Sequence, residues 1–407
     1  MGYKRQTIKG VSWLGALRVV IRGLTFVRLA ILARLLTPSQ FGLFGIASLV
    51  LAFLEIITET GINVFFIQDE GKLKDYLNTA FVVSIIRGTL ISLLIFIFAP
   101  LIASFFNSPE SKNLLYLTAI IPFIRGFINP SVVIFQKELQ FNKEFFLRTG
   151  IFLADSFVAI LTAFWLRSPS SLIWGMVAGV VVEVIATQIF INPKPRFAFE
   201  LDKLRKVLDR GKWVTVSSFL QYLFVNTDST VVGKIMSNDY LGYYQMAYKI
   251  STLPITEISN VFYNVTFPVF SKFQSDKRRL RKAFIKSTLA ISAAVVPVGL
   301  IIFFFARQIV TIVLGSEWLL AVEPIKVLSI YGILRAVTAE FPAIFLALKK
   351  QEYVTVVTLV AVIGILVTIL PLISRYGIVG ASYSSLIGMS MAILPMAYYL
   401  YKVLYKK

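Results

Sequence analysis

The chain contains no cysteine and no histidine. Their absence removes disulfides, Cys/His metal sites, thiol nucleophiles and imidazole acid–base chemistry. The spacing GxxxxGK[ST] is missing as well, so no phosphate loop equips the chain as its own ATPase. Charge is scarce and lopsided: 15% of residues are Asp, Glu, Lys or Arg, with 41 bases against 21 acids and a formal net charge of +20. No polar stretch is long enough for a soluble domain, so a nucleic-acid partner is a poor account of that charge.

What remains is apolar. Of 407 residues 57% are hydrophobic, and the mean hydropathy is +0.78, well outside the balance of a soluble domain. Stretches 88–106, 287–306, 353–374 and 376–401 are each long and uncharged enough to cross about 30 Å of hydrocarbon as a helix. Reading between polar punctuation gives twelve spans, near 12–36, 41–67, 76–105, 113–136, 144–167, 170–191, 212–236, 240–271, 283–306, 320–348, 353–374 and 377–402. The joints are turn-forming clusters such as TPSQ at 37–40, NSPESKN at 107–113, RSPSS at 167–171 and SND at 237–239. The expected fold is an all-α polytopic membrane protein with about twelve transmembrane helices.

Positive charge in the connections sets the orientation, because basic loops stay in the cytoplasm. The odd-numbered connections hold only Lys112, Arg167, Arg307 and Arg375, whereas the even-numbered connections and both termini hold most of the remaining loop bases. Both termini are therefore expected in the cytoplasm, in a multi-pass protein of the plasma (inner) membrane.

The basic connection 192–211, NPKPRFAFELDKLRKVLDRG, falls almost at mid-chain and reads as a cytoplasmic linker between two six-helix bundles, 1–191 and 212–407. An internal repeat supports this division. ARLLTPSQFGLFGIA at 33–47 lies over GKIMSNDYLGYYQMA at 233–247 at an offset of 200, with Gly42/Gly242 and Ala47/Ala247 identical. An even number of spans per half gives both halves the same orientation, a pattern common in transporters.

Several spans carry charge. At about 100° per residue, Arg18, Arg22, Thr25 and Arg28 fall within an arc of about 120° on the first helix. Arg34 lies roughly opposite, near the outer end. A cationic face of this kind calls for a hydrated cavity or acidic partners rather than acyl chains. Glu55, Arg125, Asp155, Glu183, Asp228, Glu257 and Arg335 lie near mid-depth of their spans, and Arg87 and Lys249 nearer the ends. Pairing between helices would explain any one of them; together they imply a polar interior. Asp228, in NTDST at 226–230, is flanked by polar side chains and could be a proton or cation site or a permanent counter-ion.

The stretches LLTPSQFGLFGIA, ITETGI at 57–62, NTDSTVVGKIMSNDYLGYYQMAYKISTLP at 226–254, NVTFPVFSKF at 264–273 and YGIVGASYSSLIG at 376–388 resemble signature segments of the Wzx-type lipid-linked oligosaccharide flippases. These polysaccharide export proteins, of lipopolysaccharide and teichuronic-acid type, belong to the multidrug/oligosaccharidyl-lipid/polysaccharide superfamily. The resemblance implies two six-helix bundles forming a V around a central cavity. It also implies a cargo of undecaprenyl-pyrophosphate-linked glycan, moved from the cytoplasmic to the outer leaflet by alternating access. Carried over, Arg18, Arg22, Arg28, Arg125 and Arg335 are candidates for an anion cavity, and Asp228, Glu55, Asp155 and Glu257 for ion coupling or counter-charge. No cofactor or metal is expected, with H+ or Na+ as coupling-ion candidates. Membrane lipids, a polysaccharide polymerase and glycosyltransferases are the expected partners of a monomer.

Three other readings share parts of this pattern. A cation-coupled drug or metabolite exporter would favour acids over a basic first helix. A membrane glycan polymerase or ligase would place catalytic groups on a substantial outer loop, yet the longest, RQIVTIVLGSEWL at 307–319, is short and mostly apolar. A non-transporting scaffold would need neither paired halves nor a cationic face. The chain therefore reads as a transporter, not an enzyme.

Overall fold

The computed structural model describes residues 3–59, 73–138 and 140–405, with the side chains of 3–12, 14, 18, 19, 73–75 and 201–217 outside the description. Every regular element among the described residues is helical. The chain divides into two compact units, Met1–Phe219 and Leu220–Lys407.

The first unit opens with α1 (Tyr3–Leu35), α2 (Pro38–Ile57) and α3 (Leu73–Phe105). The fourth predicted span, 113–136, is not one helix. It is built from α4 (Ser111–Thr118), α5 (Ile120–Arg125), a 3₁₀ turn over Pro130–Val133 and α6 (Ile134–Lys137), with a bend of 71° between its two arms. Pro122 and Pro130 each withdraw a backbone donor there. Asn129 repairs the break: its side chain accepts from Ser131 N at 2.9 Å and donates to the carbonyls of Thr187, Ile191 and Pro193 at 3.2–3.3 Å. The hairpin α7 (Phe141–Leu166) and α8 (Ser170–Phe190) completes the bundle. Leu43, Ala47, Ile95, Leu115, Ile121 and Ile173 belong to its buried core. The second span, expected to reach residue 67, is helical to Ile57; residues 60–72 lie outside the described residues.

Of the basic connection 192–211, only 192–200 is non-helical, because α9 (Leu201–Ile235) begins at Leu201 and runs through the division between units. The non-helical stretch is fastened to the first unit. Ser131 Oγ donates to Pro193 O at 2.7 Å, and Arg196 N and Glu200 N donate to Asn78 Oδ1 and Thr79 Oγ1.

The second unit continues with α10 (Asn238–Lys272), α11 (Lys277–Phe304), the short α12 (Ala306–Ile309), α13 (Val322–Val337), α14 (Glu340–Ala347) and α15 (Gln351–Leu404). Seven helices among the described residues are long and apolar enough to cross a membrane, and the bent Ser111–Lys137 pair makes an eighth. One of the seven, α15, contains two predicted spans, because Gly377 with φ 59° and ψ −139° breaks it into a hairpin. Only glycine holds that conformation at no steric cost. Helices also occupy the remaining predicted spans.

The 200-residue repeat is visible in backbone geometry. Thr37 (φ −79°, ψ 161°) and Ser237 (φ −76°, ψ 166°) precede α2 and α10 in nearly the same conformation. The bonds Leu36 N to Leu32 O and Met236 N to Val232 O are both 2.9 Å. Only the caps differ. Thr37 and Gln40 form a reciprocal capping box, whereas the equivalent Tyr240 has no side-chain amide and Ser237 makes no side-chain cap.

The α15 hairpin depends on close approach. A Cβ at Gly380 would lie 2.0 Å from Leu372 O, an impossible separation. Gly380→Val should therefore cost about 1–3 kcal/mol by overpacking, read as a lowered unfolding temperature of the purified protein in detergent.

Candidate functional site

In the first unit the predicted cations and acids meet as pairs. Arg28 Nη1 on α1 donates to Asp155 Oδ2 on α7 at 2.7 Å, with the two side chains 16% and 19% exposed. The guanidinium also lies 5.9 Å from the Phe152 ring centroid. Asp155 owes its position to the α7–α8 packing. A Cβ at Gly175 would fall 2.5 Å from Asp155 Oδ1, so glycine there lets α8 press against the carboxylate from behind.

A second pair joins Arg125, at the end of α5, to Glu55, near the end of α2. Arg87 on α3 closes the group by donating to Thr58 Oγ1 at 3.1 Å and to the Glu55 carbonyl at 2.5 Å. These side chains line an open pocket of about 170 Å³ together with Ser84, Gly88, Ile91, Pro122 and Gly126. Gly88 and Gly126 make the site possible. A Cβ on Gly88 would stand 2.3 Å from Pro122 O, so α3 and α5 cross glycine against glycine and bring their neighbouring arginines together.

The second unit is arranged differently. Asp228, only 2% exposed, accepts from Tyr244 Oη and Ser385 Oγ, each at 2.7 Å, and from Ser229 N at 2.6 Å. No cation among the described residues pairs with it. Arg335 on α13 is its converse: it donates to Tyr248 Oη at 2.8 Å and lies 5.4 Å from the Phe224 ring centroid, with no carboxylate partner among the described residues. Phenol oxygens and a ring face orient this guanidinium without neutralising it.

Arg28 and Asp228 occupy the same register under the 200-residue offset, so one turn of the repeat bears a cation in one unit and an acid in the other. Of the other candidates, Arg22 and Glu257 are half-buried, and the Arg18 side chain lies outside the described residues. Charge counting in the sequence passed over Glu340 on α14, which is fully buried and bonded to Thr266 and Ser287. The signal was an acid deep within the span 320–348, far from Glu323 and Lys326 at its outer end. It also undervalued Arg87, whose importance comes from the α3–α5 crossing.

The fold is that of the multidrug and flippase transporters of one superfamily. A structure of the lipid II flippase MurJ in an inward closed conformation superposes with a TM-score of 0.79 at 14% identity, covering 95% of this chain and 87% of that one. An inward-facing multidrug resistance MATE transporter of the MOP superfamily gives 0.68 at 14% identity, covering 93% and 94%. Residues 31–323 match the polysaccharide biosynthesis protein family, and the chain belongs to that family. It is 25% identical to the lipopolysaccharide biosynthesis protein WzxC of Escherichia coli (strain K12), over 86% of this chain and 72% of the relative. It is 26% identical to the teichuronic acid biosynthesis protein TuaB of Bacillus subtilis (strain 168), again over 86% and 72%.

The Arg28–Asp155 pair has a measurable signature. Asp155→Leu alone should destabilise by about 3 kcal/mol, because it strands a guanidinium in a poorly solvated site. Replacing both partners, as Arg28→Met with Asp155→Leu, should recover much of that loss. Thermal unfolding of the two single variants and the double variant reads the coupling directly.

Proposed function

We propose that this protein moves lipid-linked oligosaccharide, a polyprenyl-pyrophosphate bearing a short glycan, from the cytoplasmic to the outer leaflet by alternating access. The observation that carries the reading is membership of the polysaccharide biosynthesis family across residues 31–323. Relatives that act in lipopolysaccharide and teichuronic acid synthesis support it, as does one named a probable glycan biosynthesis flippase, Agl15 of Haloferax volcanii. The fold alone does not choose a cargo, because a lipid flippase and multidrug transporters share it.

Charge supports a pyrophosphate cargo. Pyrophosphate is a dense anion that cannot cross hydrocarbon unaided, and guanidinium groups hold phosphate oxygens through paired hydrogen bonds. In this reading Arg335 is the foremost anion ligand, because its phenol partners leave its charge available. Arg18 and Arg22 serve beside it. Arg28 and Arg125 begin as ion pairs with Asp155 and Glu55, whose carboxylates exchange with the cargo as counter-charges. Asp228 binds the coupling ion, H+ or Na+, and Glu257 is a further counter-charge. The polyprenyl tail stays in lipid, and no bond in the cargo is made or broken.

The distribution of Lys and Arg among the connections supports cytoplasmic termini in the plasma membrane. Glycosyltransferases on that side would supply the cargo, and a polymerase on the other would consume it. A single copy carries both units.

The test is reconstitution in vesicles loaded with labelled lipid-linked glycan. Wild type should expose the label to the opposite leaflet. Arg335→Ala, and separately the Arg18→Ala, Arg22→Ala double variant, should lower the rate roughly tenfold while the protein still inserts and folds, the loss expected for one contact to a charged group. A well-folded wild type that moves no such lipid would sink the reading.

A further inference from the structure

Glu340 is the first residue of α14, just past Thr338 and Ala339, where the tenth predicted span tightens to i→i+3 hydrogen bonds while running on as one span. Its relative exposure is 0%. Neither carboxylate oxygen faces a cation among the described residues. Oε1 lies 3.1 Å from Thr266 Oγ1 on α10, and Oε2 lies 3.0 Å from Ser287 Oγ on α11.

Both hydroxyls have competing acceptors on their own helices. Ser287 Oγ is equally close, 3.0 Å, to the Phe284 carbonyl, and Thr266 Oγ1 is 3.5 Å from the Tyr263 carbonyl. Each hydroxyl has one proton to donate. An ionised Glu340 would need both protons and would still be a buried charge without a counter-ion, the costliest arrangement in a low-dielectric interior. A neutral Glu340 resolves the conflict. Its own O–H donates to Ser287 Oγ, which then keeps its bond to Phe284 O.

Among the described residues the surroundings supply no alternative counter-charge. From α10 come Thr266 and, three residues earlier, Tyr263. From α11 comes Ser287, while Lys286 beside it is exposed. On α15, Tyr353 and Tyr399 stack with ring centroids 4.1 Å apart beside Phe345, and Lys350 and Lys402 lie over the Tyr353 ring. Arg335 on α13 is committed to Tyr248 and Tyr331. The N-terminal turn of α14 favours negative charge, but a helix of eight residues offers far less than an ammonium or guanidinium partner.

Asp228 makes the contrast. It collects three donors, including a backbone N–H and a phenol that has no carbonyl of its own helix to return to. Glu340 has two donors, both contested.

We propose that Glu340 is a proton-binding site of the second unit, neutral in this conformation and releasing its proton to water only when the tightened turn at Thr338 and Ala339 rearranges. Ionisation and movement of the tenth span are then one event, since the anion has no partner where it now lies. The use of that event in the cycle rests on the transport reading above, with Glu340 sensing the proton gradient apart from the anion-binding arginines.

Two measurements test this. Infrared difference spectra of wild type against Glu340→Gln, in lipid nanodiscs at neutral pH, should contain a protonated-carboxyl C=O stretch that shifts in D2O. The same band should survive in Asp228→Asn. Its absence from the wild-type minus Glu340→Gln spectrum would overturn the site. Should Glu340→Gln fail to fold, Glu340→Asp serves instead, and an unmoved carboxyl band would be equally fatal. In vesicles with an imposed pH gradient, wild-type transport of labelled lipid-linked glycan should respond to the gradient, and Glu340→Gln should lose that response. A variant that keeps the full response would overturn the coupling role. The infrared measurement needs no cargo, so the proton site and the transport reading can fail separately.

Discussion

Hydrocarbon offers no hydrogen bonds, and every polar group that this chain buries has to find its partner within the chain. Most of the architecture follows from that one constraint. Every regular element among the described residues is a helix because a helix satisfies its own backbone. Where the fourth span breaks at Pro130, the Asn129 side chain accepts from Ser131 N and ties the break to carbonyls around the end of α8. Where the last helix reverses at Gly377, close packing of Gly380 on Leu372 makes the turn a tight hairpin rather than an open loop.

The same constraint governs the charges. Arg28 and Arg125 are tolerated in apolar helices because Asp155 and Glu55 come to meet them, and glycines at 88, 126 and 175 permit the helix approaches that bring them there. In the second unit three buried charges are met without an opposite charge among the described residues: hydroxyls surround Asp228 and Glu340, and phenols hold Arg335. Arg28 and Asp228 are 200 positions apart, the offset of the repeat, so the same register carries a cation in one unit and an acid in the other. The two units thus handle their buried charges by different means.

Fold and family carry different parts of the functional argument. Transporters of lipid and of drugs share this fold at 14% identity, so it defines how movement is built but not what is moved. The family match is what points to a lipid-linked glycan.

Composition and periodicity were enough for the helical class, the approximate spans, the repeat at offset 200 and the identity of most buried charges. Those features are local or compositional: a run of apolar residues selects lipid, and a turn cluster ends a helix, whatever lies nearby. The bend of the fourth span was hidden because the run 113–136 stays apolar enough on average to read as one span despite Pro122, Pro130 and the polar Arg125 and Asn129 between them. The helical start of the 192–211 connection at Leu201 was hidden because basic residues there read as linker. Which charges pair could not be read from a single chain. Glu55 and Arg125 are 70 residues apart, and Arg28 and Asp155 are 127 apart. The sequence determined that arginines and acids would be buried in a helical membrane protein. Only the tertiary structure decided which would neutralise one another and which, like Arg335 and Glu340, would be left to hydroxyl groups, because that outcome depends on which helices glycine allows to touch.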